Sequence, residues 1–220
     1  WDYKKGEIKY NLTESAENRG FNIRDIDYSN DGKLFAAVGT LIISNDSSNK
    51  YKEEKLIRIY ETSTYKIIKE LKYDTIADIY SCIFSNDSKY LIVCDNSPST
   101  IPKGTFRVYE SLSLKEKSNI LLNDIAFSIN KLPNSSKFVV LNNSNEIHIL
   151  DYSKGRIKLE RSINLEINCS EFSISNDGKT IALSGDNILF YSLTNNESSN
   201  ITHPKSNFYA IDFGPNDELI

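Results

Sequence analysis

Two histidines, three cysteines and a recurring aspartate are the residues in this chain whose types could do chemistry. His148 sits in Glu146-Ile147-His148-Ile149, an alternating strand pattern, and reads as a structural histidine. His203 stands before Pro204 in a connecting segment and has no partner motif. Neither has the paired-histidine or cysteine-rich spacing of a zinc site. Cys82, Cys94 and Cys169 lie in strand-like segments without CxxC spacing. Their odd number points to a reducing compartment and a cytoplasmic location. Free cysteine packs as a small hydrophobe, and a Cys82–Cys94 bridge across one hairpin is the alternative. Asp27-Tyr28-Ser29-Asn30-Asp31-Gly32 resembles the start of a calcium loop, but the closing position is Val38, which has no carboxylate. No nucleophile elbow, phosphate loop or dinucleotide fingerprint occurs. The expectation is therefore no catalytic residue, no metal ligand and no cofactor: a binding protein and not an enzyme.

What must be positioned instead is a repeated phrase. It appears as Tyr28-Ser29-Asn30-Asp31-Gly32-Lys33, as Phe84-Ser85-Asn86-Asp87-Ser88-Lys89 and as Ile174-Ser175-Asn176-Asp177-Gly178-Lys179. Phe213-Gly214-Pro215-Asn216-Asp217 is a weaker copy, and Pro133-Asn134-Ser135-Ser136-Lys137 a degenerate one. The successive intervals between Asp31, Asp87, Asp177 and Asp217 are 56, 90 and 40 residues, and the degenerate copy divides the longest. A period near 40–45 residues is that of four-stranded propeller blades. Asp-Gly between apolar runs predicts a hairpin with a primed turn. Many Asp and Asn residues are read as sitting in tight turns for a local reason, bonding their own backbone.

The predicted fold is all-β: a β-propeller of four-stranded antiparallel blades. Blades are expected over 21–72, 76–120, 123–164 and 167–203. Residues 1–13 would end one blade and 207–220 would begin another, the whole of 1–220 being one partial domain. No blade can bury both faces alone, so bulky inner residues such as Phe127 are expected in the core. Charges such as Lys69, Glu70, Lys72, Arg156, Lys158, Glu160 and Arg161 fall on outermost strands, where they discourage edge pairing.

Across nearly its whole length the chain resembles a divergent WD-repeat β-propeller. Trp1-Asp2 matches the Trp-Asp ending of a third strand, and Tyr60-Glu61, Tyr109-Glu110 and Leu150-Asp151 occupy the same slot with the tryptophan replaced. Tyr191-Ser192 departs further, and the family's Gly-His dipeptide is missing. The resemblance implies a scaffold whose blades hold together by packing, without the family's His-Ser-Trp-Asp network. The family's usual number favours a fragment of a seven-bladed ring, with a five-bladed ring closed by the two ends as the alternative. The chain lacks methionine and begins on Trp1, so an internal piece of a longer protein is expected.

A net charge of -4 and a pI near 5.4 argue against nucleic acid as a partner. The longest apolar run, Leu34 to Ile43, is too short to span a bilayer, and no membrane insertion is expected. Long connections after the second strand, Ser44 to Lys55 and Asp95 to Gly104, fall on one propeller face together with the segment from Thr13 to Gly20. Loops on a rigid scaffold are where binding residues sit. Tyr51, Ile101 and Pro102 are the candidate apolar anchors, with Lys50, Lys52, Lys55 and Lys103 as complementary charge. The expected function is a protein–protein interaction scaffold that binds a peptide or loop within a multi-subunit complex. Its alternatives are the propeller domain of a hydrolase or peptidase, or of a coat or ciliary-transport subunit.

Overall fold

The computed structural model describes residues 19–45, 50–73, 77–97, 103–165, 168–201 and 208–219. Sixteen strands form four antiparallel sheets of four, each made of strands consecutive in the chain. The first sheet contains β1 (Arg19–Tyr28), β2 (Leu34–Asn45), β3 (Lys50–Glu61) and β4 (Ile67–Tyr73). The second contains β5 (Asp78–Phe84), β6 (Tyr90–Ser97), β7 (Lys103–Glu110) and β8 (Glu116–Leu122). The third contains β9 (Ala126–Lys131), β10 (Lys137–Asn142), β11 (Glu146–Asp151) and β12 (Lys158–Asn164). The fourth contains β13 (Cys169–Ile174), β14 (Thr180–Gly185), β15 (Ile188–Ser192) and β16 (Ser198–Ile201). First strands neighbour one another in the order β1, β5, β9, β13, so the sheets stand side by side with their first strands innermost, as in a propeller.

Both faces of an inner blade are apolar because its neighbours cover both. Ala36, Val38, Ile57 and Ile59 of the first sheet meet Cys82, Phe84, Leu91 and Val93 of the second. The other face of that second sheet, with Ile92, Cys94, Phe106 and Val108, meets Phe138, Val140, Leu150 and Tyr152 of the third. Val139, Leu141, Ile147 and Ile149 then meet Phe172, Ile181 and Leu183 of the fourth. Alternation along each strand thus feeds two successive interfaces. It also rules out the Cys82–Cys94 bridge: the two thiols point to opposite faces of one sheet, and both are free. Phe127 falls at a break in the β9–β10 register, and its side chain lies outside the described residues.

The repeated turn differs from the primed two-residue hairpin. Ser29 N–H donates to Leu34 O, and among the turn residues only Gly32 has positive φ, at 68°. The loop therefore has four residues, with the left-handed position at its third. Ser29 Oγ donates to Asp31 Oδ1 at 2.8 Å and accepts from Leu34 N, while Asp31 Oδ1 also accepts from Lys33 N. The same contacts recur at Ser85/Asp87 and Ser175/Asp177. The serine hydroxyl, followed by the lysine amide, holds Asp31 and Asp177 below the usual carboxylate range.

The asparagine of the phrase is not local. Asn86 Nδ2 donates to Leu132 O at 2.9 Å and to Ser135 O at 2.8 Å, in the next blade's turn. Asn176 Nδ2 likewise donates to Gly214 O at 2.8 Å, tying the fourth sheet to the segment 208–219. The acidic residue closes the turn after the third strand in the first three sheets, and Ser192 stands in its place in the fourth. Glu61 accepts from Thr64 Oγ, Glu110 from Ser113 Oγ, and Asp151 from Ser136 and Ser153 Oγ. Trp1, Asp2 and His203 lie outside the described residues.

Phe106 is fully buried with its ring 5.8 Å from Phe138 across the second interface. Phe106→Ala should destabilise the protein by about 3–5 kcal/mol in urea unfolding, as a cavity between blades must. Asn86→Ala removes one of two donors from each of two carbonyls, since Leu132 O keeps Ser135 Oγ and Ser135 O keeps Tyr152 OH, and should cost about 1 kcal/mol. A loss for Asn86→Ala near zero would show that the turn-to-turn tie is replaced by water.

Candidate functional site

Gly39 opposes a break in register on β1, between Ile23 and Asp25, where a Cβ would meet Asn22 O at 2.1 Å. The same irregularity recurs in all four sheets: Ile79/Ser81, Leu141/Asn142 and Cys169/Glu171. A bulge re-aims the extra side chain, and Arg24 and Tyr80, the extra residues on β1 and β5, line a cavity at the axis. The cavity has a volume of about 410 Å³ and is walled by Asp25, Ser81, Ser128, Glu171 and Asp212 among others. Its polar groups link one blade to the next. Asp25 accepts from Ser81 Oγ and Cys82 N, Glu171 accepts from Ser128 Oγ, and Asp212 accepts from Ser173 Oγ. Lys131 of β9 reaches past the second sheet to Asp27 of β1, Nζ to Oδ2 2.8 Å. Among the described residues no group of three or more His, Cys, Asp or Glu side chains is placed to hold a metal ion.

Farther from the axis, the third strand of each of the first three sheets carries a nitrogen-bearing side chain three residues before its acidic ending: Arg58, Arg107 and His148. Arg58 is buried, binds Glu70 Oε2 at 2.8 Å and stacks 4.6 Å from the Phe21 ring. Arg107 binds Asp95 Oδ2 at 3.0 Å and Glu116 at 3.2 Å, and the Tyr73 hydroxyl donates to the same Asp95 oxygen. Asp95 is only 2% exposed, so this pair needs every one of those bonds. Burial, then the neighbouring charges of Tyr109 and Asp95, push the Tyr73 phenol far above its ordinary range. His148 lies between Asn142 Nδ2 (3.1 Å from Nε2) and Ser162 Oγ (2.8 Å from Nδ1). In the fourth sheet Leu189 takes this place, and Arg161 of the third sheet donates to Tyr191 OH instead. Arg58 and His148 are thus held within their own sheets, whereas Tyr73–Asp95 and Arg161–Tyr191 cross from one sheet to the next. The signal in the sequence was the fixed offset from the acidic residue.

The anticipated long loops are mostly ladder. β2 and β3 pair residue by residue up to Asn45↔Lys50, and β6 and β7 up to Ser97↔Lys103. In contrast, β10 and β11 pair from Lys137↔Asp151 only to Leu141↔Ile147. The first sheet therefore carries a rigid ribbon above its blade, where β1 also pairs with β2 up to Arg19↔Ile43. Lys50 and Tyr51 belong to that ribbon by their backbone, while Ile101 and Pro102 lie outside the described residues. The lysines do not converge. Lys52 Nζ pairs with Glu54 at 2.8 Å, and Lys72 Nζ pairs with the same carboxylate at 2.8 Å. Lys55 leaves the opposite face, toward the second sheet, and binds Asp78 at 2.6 Å and Glu53 at 3.3 Å. Burial works against the Lys55 ammonium, yet the bonds to Asp78 and Glu53 raise its pKa. Hydrogen bonds from Lys52, then Lys72, hold Glu54 down at about 2. Lys103 pairs with Ser97 at the second hairpin, apart from both clusters.

The fold and these sites define a propeller-like all-β protein with a polar axis and, on the first sheet, a projecting ribbon. Comparison with known families and with curated proteins finds no family model and no protein that matches the chain.

His148 supplies a pH test. Burial lowers its pKa below the ordinary 6.5, against the opposing pull of Glu146 and Asp124, so the folded state holds it neutral. The unfolded chain then takes up the proton first, and stability falls as pH drops from about 6.5 through the folded value, with no loss above it. The urea midpoint of the parent should decline over that window more than that of His148→Gln. Parallel pH profiles would show that the imidazole does not titrate with unfolding.

Proposed function

We propose that the chain is a non-catalytic protein–protein interaction scaffold of the WD-repeat type, working in the cytoplasm as part of a larger complex. The partner contributes a peptide or loop to the face from which the extended hairpins of the first two sheets rise. The observation that carries this reading is the ribbon above Gly39↔Leu56. It extends the first sheet well beyond the height at which blade packs on blade. Continuous pairing gives that extension a fixed shape, and a preformed surface binds without first losing conformational entropy.

The axial polar groups favour a structural over a reactive role, since Asp25, Glu171 and Asp212 each accept hydroxyl hydrogen bonds that join adjacent strands. The serines that donate those bonds have no histidine beside them in these contacts. No helix among the described residues is long and apolar enough to cross a membrane.

The test is to trim the ribbon, joining Leu41 directly to Glu54 through an Asn-Gly turn, which suits a two-residue hairpin. These two residues are cross-strand partners, so the remaining ladder keeps its register. Removing a projecting hairpin should cost no more than about 1 kcal/mol, a melting shift of about 2–4 °C. Proteins cross-linked to the intact chain in cells should be lost from the trimmed one. An unchanged set of cross-linked proteins would place the binding surface elsewhere.

A further inference from the structure

A cleft opens between the second and third sheets at the end of the blades away from the ribbon. Leu34↔Glu61 and Tyr90↔Glu110 pair at this end, and Asn45↔Lys50 at the other. Here the repeated turns meet, with Asp31 N of the first donating to Ser88 Oγ of the second. The cleft has a volume of about 410 Å³, and its walls include Tyr90, Ser135, Ser136, Tyr152, Ser153 and Lys154, all among the described residues. That volume falls within the range of ~300–1,000 Å³ found for ligand clefts. Tyr90 and Tyr152 give it an aromatic wall. The Tyr152 hydroxyl is already spent, accepting from Asn86 N and donating to Ser135 O.

One rim of the cleft is basic. Lys154 stands in a short 3-10 turn of the third sheet, Ser153–Gly155, which packs against the outer strand of the second. Ser118 Oγ of β8 donates to Gly155 O at 2.7 Å and accepts from Ile157 N at 3.0 Å. The seat is close, for a Cβ on Gly155 would come within 2.9 Å of the Tyr90 ring and 3.4 Å of Lys117 Cβ. Lys117 is the extra residue at the β7–β8 register break between Val108↔Ser118 and Tyr109↔Glu116. Lys117, Lys154 and Arg156 are thereby gathered at one junction. All three are exposed, and among the described residues no carboxylate pairs with any of them. The carboxylates around them are engaged: Asp87 with Lys89, Glu116 with Arg107, and Asp151 with Lys158 and two serines. In a chain of net charge -4 this junction is a local reversal of sign.

We infer that this cleft and its basic rim form a second docking site, which takes an acidic segment of a partner protein with one apolar side chain inserted against Tyr90 and Tyr152. The site stands apart from the ribbon and goes beyond the function proposed above. Charge complementarity chooses the occupant: carboxylates of the segment face Lys117, Lys154 and Arg156, while the inserted side chain supplies the buried area. Three cations neutralise few phosphates, so nucleic acid would be held weakly. An anionic membrane would meet the cations and leave the recessed tyrosines unfilled.

Fluorescence anisotropy on the full chain tests the inference, with a capped, labelled peptide of glutamates around one phenylalanine as the probe. The peptide should bind with a Kd below about 1 mM. A counterpart with serine for the phenylalanine should bind about tenfold more weakly, the effect of losing one buried aromatic side chain. The double variant Lys117→Glu, Lys154→Glu should weaken the phenylalanine peptide about tenfold, as two exposed charge pairs are lost and reversed. Its melting temperature should stay that of the parent, since neither lysine is in an ion pair. The chain trimmed at the ribbon should bind the peptide as the parent does. Equal binding of the two peptides, or no effect of the charge reversals, overturns the inference. It falls also if vesicles of phosphatidylserine and phosphatidylcholine, or a single-stranded RNA, bind the parent more tightly than the peptide and lose that binding in the double variant. If trimming the ribbon abolishes peptide binding, the peptide docks there and this site is wrong, whereas loss of cross-linked partners with peptide binding intact separates the two surfaces as inferred.

Discussion

A four-stranded sheet with apolar residues on both faces cannot rest against water, and every other feature of this protein follows from that constraint. The second sheet puts Leu91, Val93 and Tyr109 on one face and Ile92, Cys94, Phe106 and Val108 on the other. Neither face is a surface, so the sheet is stable only between two neighbours. Because side chains alternate along each strand, one strand serves two interfaces at once. A register slip would therefore damage both.

Packing alone sets no unique angle or height between blades, since apolar contact is not directional. The polar ties add that direction. At the axis, carboxylates and serines connect inner strands. At mid-radius, the Tyr73 hydroxyl of the first sheet donates to Asp95 of the second, and Arg161 of the third donates to Tyr191 OH of the fourth. At the turns, Asn86 and Asn176 reach the next blade's carbonyls. These ties are buried or half-buried, so each costs stability if broken and rejects a misaligned blade. The body beneath the ribbon is thereby made rigid enough to present one projecting element in a fixed place.

Much of this was legible in the residues. The repeated Ser-Asn-Asp-Gly-Lys phrase marked the hairpins, and the aromatic-acidic endings marked the third strands. Both signals are local: a hydroxyl and a carboxylate satisfying nearby amides, and an acid closing the turn that follows. The loops were misread for a physical reason. Ser44 to Glu54 is polar and charged, which in one dimension looks like a loop, yet Lys52 and Glu53 are successive exposed residues of a paired strand. The division of Lys52 and Lys55 between opposite faces also depended on pairing, which composition does not express.

Spacing and alternation by themselves determined the all-β class and the four-stranded antiparallel unit, because these depend on contacts between neighbouring strands. Only the tertiary structure decided which nitrogen met which carboxylate, which asparagine crossed to the next blade, and to which face each lysine of β3 turned. Those contacts join residues separated by 22 positions, as in Tyr73–Asp95, or by 104, as in Lys131–Asp27. No local pattern records such partners, since each side chain is chosen by a surface that exists only once the blades have stacked.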